Sequence, residues 1–253
     1  MIVIYNLVVR LYGFIIRCAS VKNTKAKAWV SGRKNWENKL KEQKLSKPNT
    51  IWFHCASYGE FEQGLPLIQA VKENYKNYNI VITFFSPSGY TVFNNSPLAD
   101  AVYYLPLDTS VNAKKFIQLL NPNIAVFIKY EFWLNYLFEL KNKQIKTYLV
   151  SATFKPHHPF FKWYGKLFVK SLHTFKTIYL QDLQSQKLLN AIQIKNTIIA
   201  GDTRFDRVTQ IKNQNKDNQL ISQFKNNSLL FIAGSTWPDD DDYIINSILK
   251  TKN

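Results

Sequence analysis

Two acids, each placed just beyond an apolar run, are the residues of this chain best placed to do chemistry. Glu60 follows the run Ile51-Trp52-Phe53-His54-Cys55 and a small-residue turn, Ala56-Ser57-Tyr58-Gly59, while Glu131 follows the run Ile124-Ala125-Val126-Phe127-Ile128. A carboxylate held at a helix start beyond a buried strand can serve as a general base when its surroundings tune its proton affinity toward neutrality. Glu131, on the same sheet edge, is placed to cooperate with it or to orient a neighbouring base. A structural reading stands beside this one. Ser57-x-x-Glu60 satisfies the capping-box pattern, in which hydroxyl and carboxylate reciprocally cover free backbone N–H groups, and an acid is favoured near a helix N-terminus anyway.

The run before Glu60 starts after the Pro48-Asn49 breaker. It is short and rich in β-branched and aromatic residues, which predicts a strand. Phe61, Leu65, Ile68, Val71 and Tyr75 then recur at helical spacing, which puts Glu60 in the first turn of an amphipathic helix. Further runs at 79–85, 101–105, 124–128, 147–150, 177–180 and 197–200 read as strands separated by helical patterns. Such alternation predicts a doubly wound parallel α/β sheet, whose ligands bind beyond the carboxyl ends of the strands.

The strand-to-helix turns are therefore where function should concentrate. Ser86-Pro87-Ser88-Gly89 offers hydroxyls and N–H groups that suit an anion or an ordinary helix cap. Lys129-Tyr130-Glu131-Phe132-Trp133-Leu134-Asn135 follows a later strand, and the basic, aromatic stretch from Ser151 to Tyr164 could meet a phosphorylated acyl sugar. Its adjacent His157 and His158 make a poor metal site, because neighbouring residues rarely chelate one ion. Gly201-Asp202-Thr203-Arg204-Phe205-Asp206 closes this series, residues 210–219 read as a polar linker with a short helix after it, and a new strand is expected from Leu229 into Ala233-Gly234-Ser235-Thr236. One strand and one helix cannot bury a core.

The 33 basic and 17 acidic residues give a formal charge of +16, which calls for an anionic partner. Nucleic acid is disfavoured because the lysines are scattered and no zinc-knuckle, RNP or helix-turn-helix signature occurs. Cys18 and Cys55 have no C-x-x-C partner, which suits a reducing cytoplasm and a spectator role. Residues 1–16 are apolar but interrupted by Asn6 and Arg10, and they fall short of the roughly 20 residues of a spanning helix. A helix lying in the membrane interface is expected, with Arg10 and Arg17 on one side. Lys22, Lys25, Lys27, Arg33, Lys34, Lys39, Lys41 and Lys44 follow it, each worth about 1 kcal/mol near anionic lipid. A helix packed on the domain with a solvated charged continuation, or a single spanning helix, are the alternatives.

Taken in order, Ala56-Ser57-Tyr58-Gly59-Glu60, Ser86-Pro87-Ser88-Gly89, Glu131-Phe132-Trp133-Leu134-Asn135, Gly201-Asp202-Thr203-Arg204-Phe205-Asp206 and Ala233-Gly234-Ser235-Thr236 resemble the Kdo transferase family, which attaches 3-deoxy-D-manno-octulosonic acid (Kdo) to the lipid A precursor. The resemblance implies a GT-B glycosyltransferase fold with an acceptor-binding first domain and a CMP-Kdo-binding second domain, the latter largely missing from these residues. The corresponding divisions are a membrane-associating segment 1–45, an acceptor domain 46–208, a linker 209–227 and the start of a donor domain at 228–253. Glu60 falls on the family's general base and Glu131 on its supporting acid. Ser57, Gly59, Ser86, Ser88, Lys129, Asn135 and Arg204 fall on the acceptor side, and Gly234, Ser235 and Thr236 on the donor side. A direct inverting displacement without metal or cofactor, at the cytoplasmic face of the inner membrane, is implied, with the chain alone inactive. The chain departs from the family's Glu-x-Glu-x-Trp-Pro-Asn at Lys129 and Leu134, and from a common Arg at Thr153. Two rivals remain: a non-catalytic module for anionic lipid, and a GT-B transferase with another acceptor.

Overall fold

A computed structural model describes residues 1–43, 45–213 and 218–250. Seven strands, β1 Asn49–Cys55, β2 Tyr78–Phe84, β3 Ala101–Tyr104, β4 Ile124–Ile128, β5 Lys146–Ala152, β6 Thr177–Leu180 and β7 Thr197–Ile199, fall within two residues of the expected runs. They form one sheet in the order β3-β2-β1-β4-β5-β6-β7, with every pairing parallel. The helices are α1 Ile2–Ala19, α2 Thr24–Gly32, α3 Trp36–Glu42, α4 Tyr58–Asn74, α5 Pro87–Phe93, α6 Ser110–Leu120, α7 Leu134–Asn142, α8 Lys166–Leu172, α9 Leu183–Ala191, α10 Thr203–Asn213, α11 Gln219–Lys225 and α12 Pro238–Lys250.

The strand order reverses direction between β1 and β4. Strands β1 to β3 step one way across the sheet, and β4 returns to the other side of β1 with Ile51 opposite Ile124 and His54 opposite Phe127. The connections therefore part at the carboxyl ends of these two strands and leave a crevice. Alternation along β1 supplies both faces. Ile51, Phe53 and Cys55 pack with Phe61 and Ile68 of α4, while Trp52 packs with Phe116 and Tyr136 of α6 and α7.

The expected strand from Leu229 is not formed; residues 229–237 are irregular. An isolated strand leaves a row of N–H and C=O groups unpaired, and among the described residues no neighbouring strand takes them up. Lys44 of the basic segment, residues 214–217 of the expected linker and residues 251–253 lie outside the described residues. The chain divides into two compact units, residues 1–210 and 211–253. In the second, α12 begins with Asp239, Asp240 and Asp241 in its first turn, where the helix dipole favours acids.

Within the first unit, residues 1–43 pack through α1, α2 and α3, with Val9, Gly13, Ala26, Trp29 and Leu40 buried. Gly13 allows α1 its close approach, since a Cβ there would stand 2.6 Å from Leu107 Cδ2. Val3, Ile4, Leu7, Leu11, Phe14 and Ile15 remain exposed on α1. Arg33, expected at the lipid surface with the other basic residues, instead donates to the carbonyls of Trp29, Phe85 and Leu105.

A buried acid joins α1 to α7. Asp108 is fully buried, accepts the Tyr5 hydroxyl of α1 at 2.5 Å, and accepts the N–H groups of Asn135 at 3.2 Å and Tyr136 at 3.1 Å. It thus covers the free donors of α7, whose N-cap residue Trp133 makes no side-chain cap. Burial pushes the Asp108 carboxyl up from 3.8 to about 6, against the lowering effect of these bonds. The folded protein then holds a proton that the unfolded chain releases, so this group's contribution to stability falls as pH rises from 3.8 to about 6 and is level above. Urea unfolding of the chain and of Asp108→Asn should show the difference between them changing by on the order of 3 kcal/mol across that window, in the direction of relative loss for the parent at the higher pH. Parallel curves would show that Asp108 titrates normally.

Candidate active site

Glu60 occupies the N3 position of α4, directly beyond β1. Its N-cap, Ser57, accepts the N–H of Gly59 at 3.2 Å and donates its hydroxyl to the Glu60 carboxylate. The reciprocal capping box is thus only half formed. Among the described residues the Glu60 carboxylate accepts no backbone N–H, and its nearest cation is Lys129, Nζ standing 4.0 Å from Oε1. Gly59 leaves the approach to this carboxylate open. A Cβ there would meet only Ser57 Oγ, at 3.8 Å, so internal packing does not require the glycine.

Lys129 comes from the far side of the crevice. It follows β4 with a positive φ of 70°, a conformation rare for residues with a Cβ, and its N–H bonds the Val150 carbonyl at 2.8 Å. Ser151, at the bulge in β5, shares this conformation with φ 57°. It is buried, and the Gln181 amide donates to its carbonyl at 2.9 Å and its hydroxyl at 3.0 Å. Such conformations persist where surrounding bonds over-determine them.

Glu131 is almost buried and tied to β1 through His54. The Trp133 indole N–H donates to Glu131 Oε2 at 2.7 Å and lies 2.8 Å from His54 Nε2, which is itself 3.3 Å from Glu131 Oε2. On the other side of the imidazole, Nδ1 lies 2.8 Å from Thr83 Oγ1, which also accepts the Trp52 indole N–H at 2.8 Å. This polar chain runs from β2 through β1 to the segment after β4, with His54 and Thr83 fully buried. Cys55 turns to the opposite face, where burial and then the charges of Glu131 and Glu60 push its thiol well above its ordinary value. It is held as a thiol and is no nucleophile.

The β2–α5 turn completes the rim. The N–H groups of Phe85 and Ser86 bond the Ala56 carbonyl at 3.1 and 2.7 Å, and Ser86 Oγ lies 3.1 Å from Ser88 Oγ, which is 3.4 Å from the Tyr58 nitrogen. Gly89 permits this turn to sit against Phe84, whose Cδ1 a Cβ would approach to 2.1 Å.

These turns follow a recognisable family pattern. The family model described as 3-deoxy-D-manno-octulosonic-acid transferase matches residues 34–207. The chain belongs to this family. It is 28% identical over 205 residues to the 3-deoxy-D-manno-octulosonic acid transferase of Rickettsia felis, covering 80% of this chain and 44% of that protein. With its Haemophilus influenzae counterpart it is 27% identical over 218 residues, 79% of this chain and 48% of that protein. The chain therefore spans about half the length of the curated relatives it matches. Among solved structures, the UDP-GlcNAc 2-epimerase of Methanocaldococcus jannaschii matches with a TM-score of 0.52 at 14% identity, over 72% of this chain and 54% of that one. A UDP-N-acetylglucosamine 2-epimerase from Listeria monocytogenes matches at 0.51 and 12%, over 71% and 52%. At such identity the likeness shows the fold alone, a Rossmann-like first domain of GT-B type.

Within this Kdo transferase half, the crevice edge carries Ser57, Gly59, Glu60, Lys129 and Glu131, with Ser86 and Ser88 on the adjoining turn. Asn135 points elsewhere. Its amide donates to the Asp108 carbonyl at 2.7 Å and to Asn6 Oδ1 at 2.9 Å, so it fastens α1 to α7. Arg204 sits beyond β7 and is held by Asp202, with Nη2 2.6 Å from Oδ2. Gly234, Ser235 and Thr236 belong to the second unit; the first two are exposed, and Ser235 has a φ of 62°.

Sequence reasoning passed over His54, Thr83 and Trp133. The available signal was chemical, since a histidine and a tryptophan on one face of a buried strand both need hydrogen-bond partners. His54→Leu keeps the bulk but removes both ring nitrogens, leaving Glu131 and Thr83 short of partners. Urea unfolding of this chain should show a loss of about 2–3 kcal/mol. A loss well under about 1 kcal/mol would mean that the chain of bonds contributes little.

Proposed function

We propose that the full-length protein transfers Kdo from CMP-Kdo to a hydroxyl of the lipid A precursor, with the present residues forming its acceptor half. The observation that carries this reading is the Glu60 carboxylate at the reversal of strand order, free of backbone bonds among the described residues and reached past a glycine. In the proposed reaction the acceptor oxygen attacks the anomeric carbon of Kdo as the bond from that carbon to the CMP phosphate breaks. The acceptor's proton passes to Glu60, CMP departs with its phosphate, and the anomeric configuration inverts.

Glu131 acts through position in this scheme. It accepts the Trp133 indole N–H, which also reaches His54 of β1, and this holds the β4–α7 segment, and with it Lys129, across from Glu60. Lys129 and the Ser86–Ser88 turn supply a cation and donors for an acceptor phosphate. The exposed apolar residues of α1 would place this edge at the cytoplasmic leaflet where the lipid acceptor lies. A non-catalytic lipid-binding module is the rival reading, and in it Glu60 would serve only as a helix cap. The half-formed capping box favours the base.

In the full-length enzyme, Glu60→Gln should lower kcat by roughly 100- to 10,000-fold with little change in acceptor KM, read by the mass of the glycosylated lipid. Transfer at the parental rate would remove Glu60 from the mechanism. Lys129→Met should instead raise acceptor KM roughly tenfold, the loss of about 1.4 kcal/mol of binding, while kcat changes less. An unchanged KM would show that Lys129 does not meet the acceptor.

A further inference from the structure

A cavity of about 380 Å³ lies between α1, α2 and the segment after β3, apart from the Glu60 crevice. Gly13 and Arg17 of α1, Trp29 of α2, Arg33, Lys34 and Leu107 contribute to its wall, and among the described residues no carboxylate does. Three cations thus line one open cavity, Arg17 and Lys34 at its exposed side and Arg33 deeper, and none of them has a carboxylate partner within 4.0 Å among the described residues.

Arg33 is the anchor. Its Nε, Nη1 and Nη2 donate to the carbonyls of Leu105, Trp29 and Phe85 at 2.9, 3.0 and 2.7 Å, and its guanidinium lies 3.8 Å from the Trp29 ring centre. These are all neutral partners, and a guanidinium has five N–H groups, so donors remain for an anion. Burial pushes the Arg33 pKa down to about 9, which leaves it cationic at neutral pH and without a compensating charge. The indole N–H of Trp29 is also buried with no hydrogen-bond partner among the described residues. An unmet donor beside an unmatched buried cation is the kind of exception that a bound anion resolves.

The position of the cavity names the source of that anion. Gly13 and Arg17 belong to α1, whose outward face exposes Leu7, Leu11, Phe14 and Ile15, so the helix that walls the cavity also carries an apolar surface suited to lipid. We propose that this cavity binds the phosphomonoester head group of a membrane lipid through Arg17, Arg33 and Lys34. Several cations together match the second charge of a monoester better than the single charge of a phosphodiester. The site would seat the protein on the bilayer at a fixed depth and orientation, which a diffuse basic surface cannot do. It does not depend on the transfer reaction.

The 253-residue chain labelled at its indole nitrogens would be titrated with phosphatidylcholine vesicles carrying phosphatidic acid or phosphatidylglycerol at matched surface charge. The expected result is a preference of roughly tenfold for phosphatidic acid, with a saturable shift of the Trp29 indole signal that phosphatidylglycerol does not produce. Arg17→Gln with Lys34→Gln leaves the Arg33 contacts in place and should abolish the preference. Lys22→Gln with Lys39→Gln removes the same charge away from the cavity and should retain it. Equal binding to both lipids, or a preference that survives Arg17→Gln with Lys34→Gln, would overturn the proposal. Inorganic phosphate shifting the Trp29 signal as strongly as the vesicles would assign the cavity to a soluble anion and overturn its lipid assignment.

Discussion

The indole N–H of Trp133, shared between Glu131 and His54, ties the segment after β4 to β1, the two strands between which the sheet changes direction, and the geometry of the site depends on it. The chain after β1 turns toward α4 and carries Glu60, while the chain after β4 carries Lys129 and Glu131 toward α7. Nothing in parallel pairing alone fixes how far apart these two departing segments stand. Trp133 does so, its indole N–H lying 2.7 Å from Glu131 Oε2 and 2.8 Å from His54 Nε2, with Thr83 holding the other ring nitrogen. Buried polar groups are costly unless paired, and a fully paired set specifies one arrangement. Rigidity at this crevice is therefore built from within the sheet, while the carboxylate of Glu60 is left at its edge.

The same logic extends outward to the helix with the apolar surface. Tyr5 and Asn6 of α1 reach Asp108 and Asn135, Asp108 in turn covers the first N–H groups of α7, and α7 begins one residue after Trp133. A continuous set of bonds thus runs from α1 to the segment that carries Glu131. For an enzyme that glycosylates a lipid, such a connection would register the crevice against the bilayer. Gly13 against Leu107 keeps the helix close enough for these bonds to form.

The sheet was legible because buried parallel strands leave continuous apolar runs, and each of the seven formed within two residues of its run. The run from Leu229 has the same composition and forms no strand, because pairing partners rather than composition decide whether a strand exists. Spacing put Glu60 beyond β1 and Glu131 beyond β4, and both lie there at the carboxyl edge of the sheet. The resemblance put Asn135 on the acceptor side, whereas its amide turns inward and donates to Asn6 Oδ1 and the Asp108 carbonyl, because a residue beyond a strand can turn inward as readily as outward. Arg33 was hidden for a related reason. In a run of basic residues nothing local distinguishes the one whose neighbours, Trp29, Phe85 and Tyr104, form an aromatic enclosure around it.

The central claim is that the crevice beyond β1 and β4 receives the lipid acceptor. A residue-resolved titration of the amide signals of this chain with lipid bicelles tests it directly, comparing those that contain the lipid A precursor with those that contain phosphatidylglycerol at equal charge. The account predicts that the signals of Gly59, Ser88 and Lys129 shift with the precursor and not with phosphatidylglycerol. Shifts confined to α1, α2 and α3, and equal for both lipids, would contradict it and reduce the basic surface to an electrostatic tether.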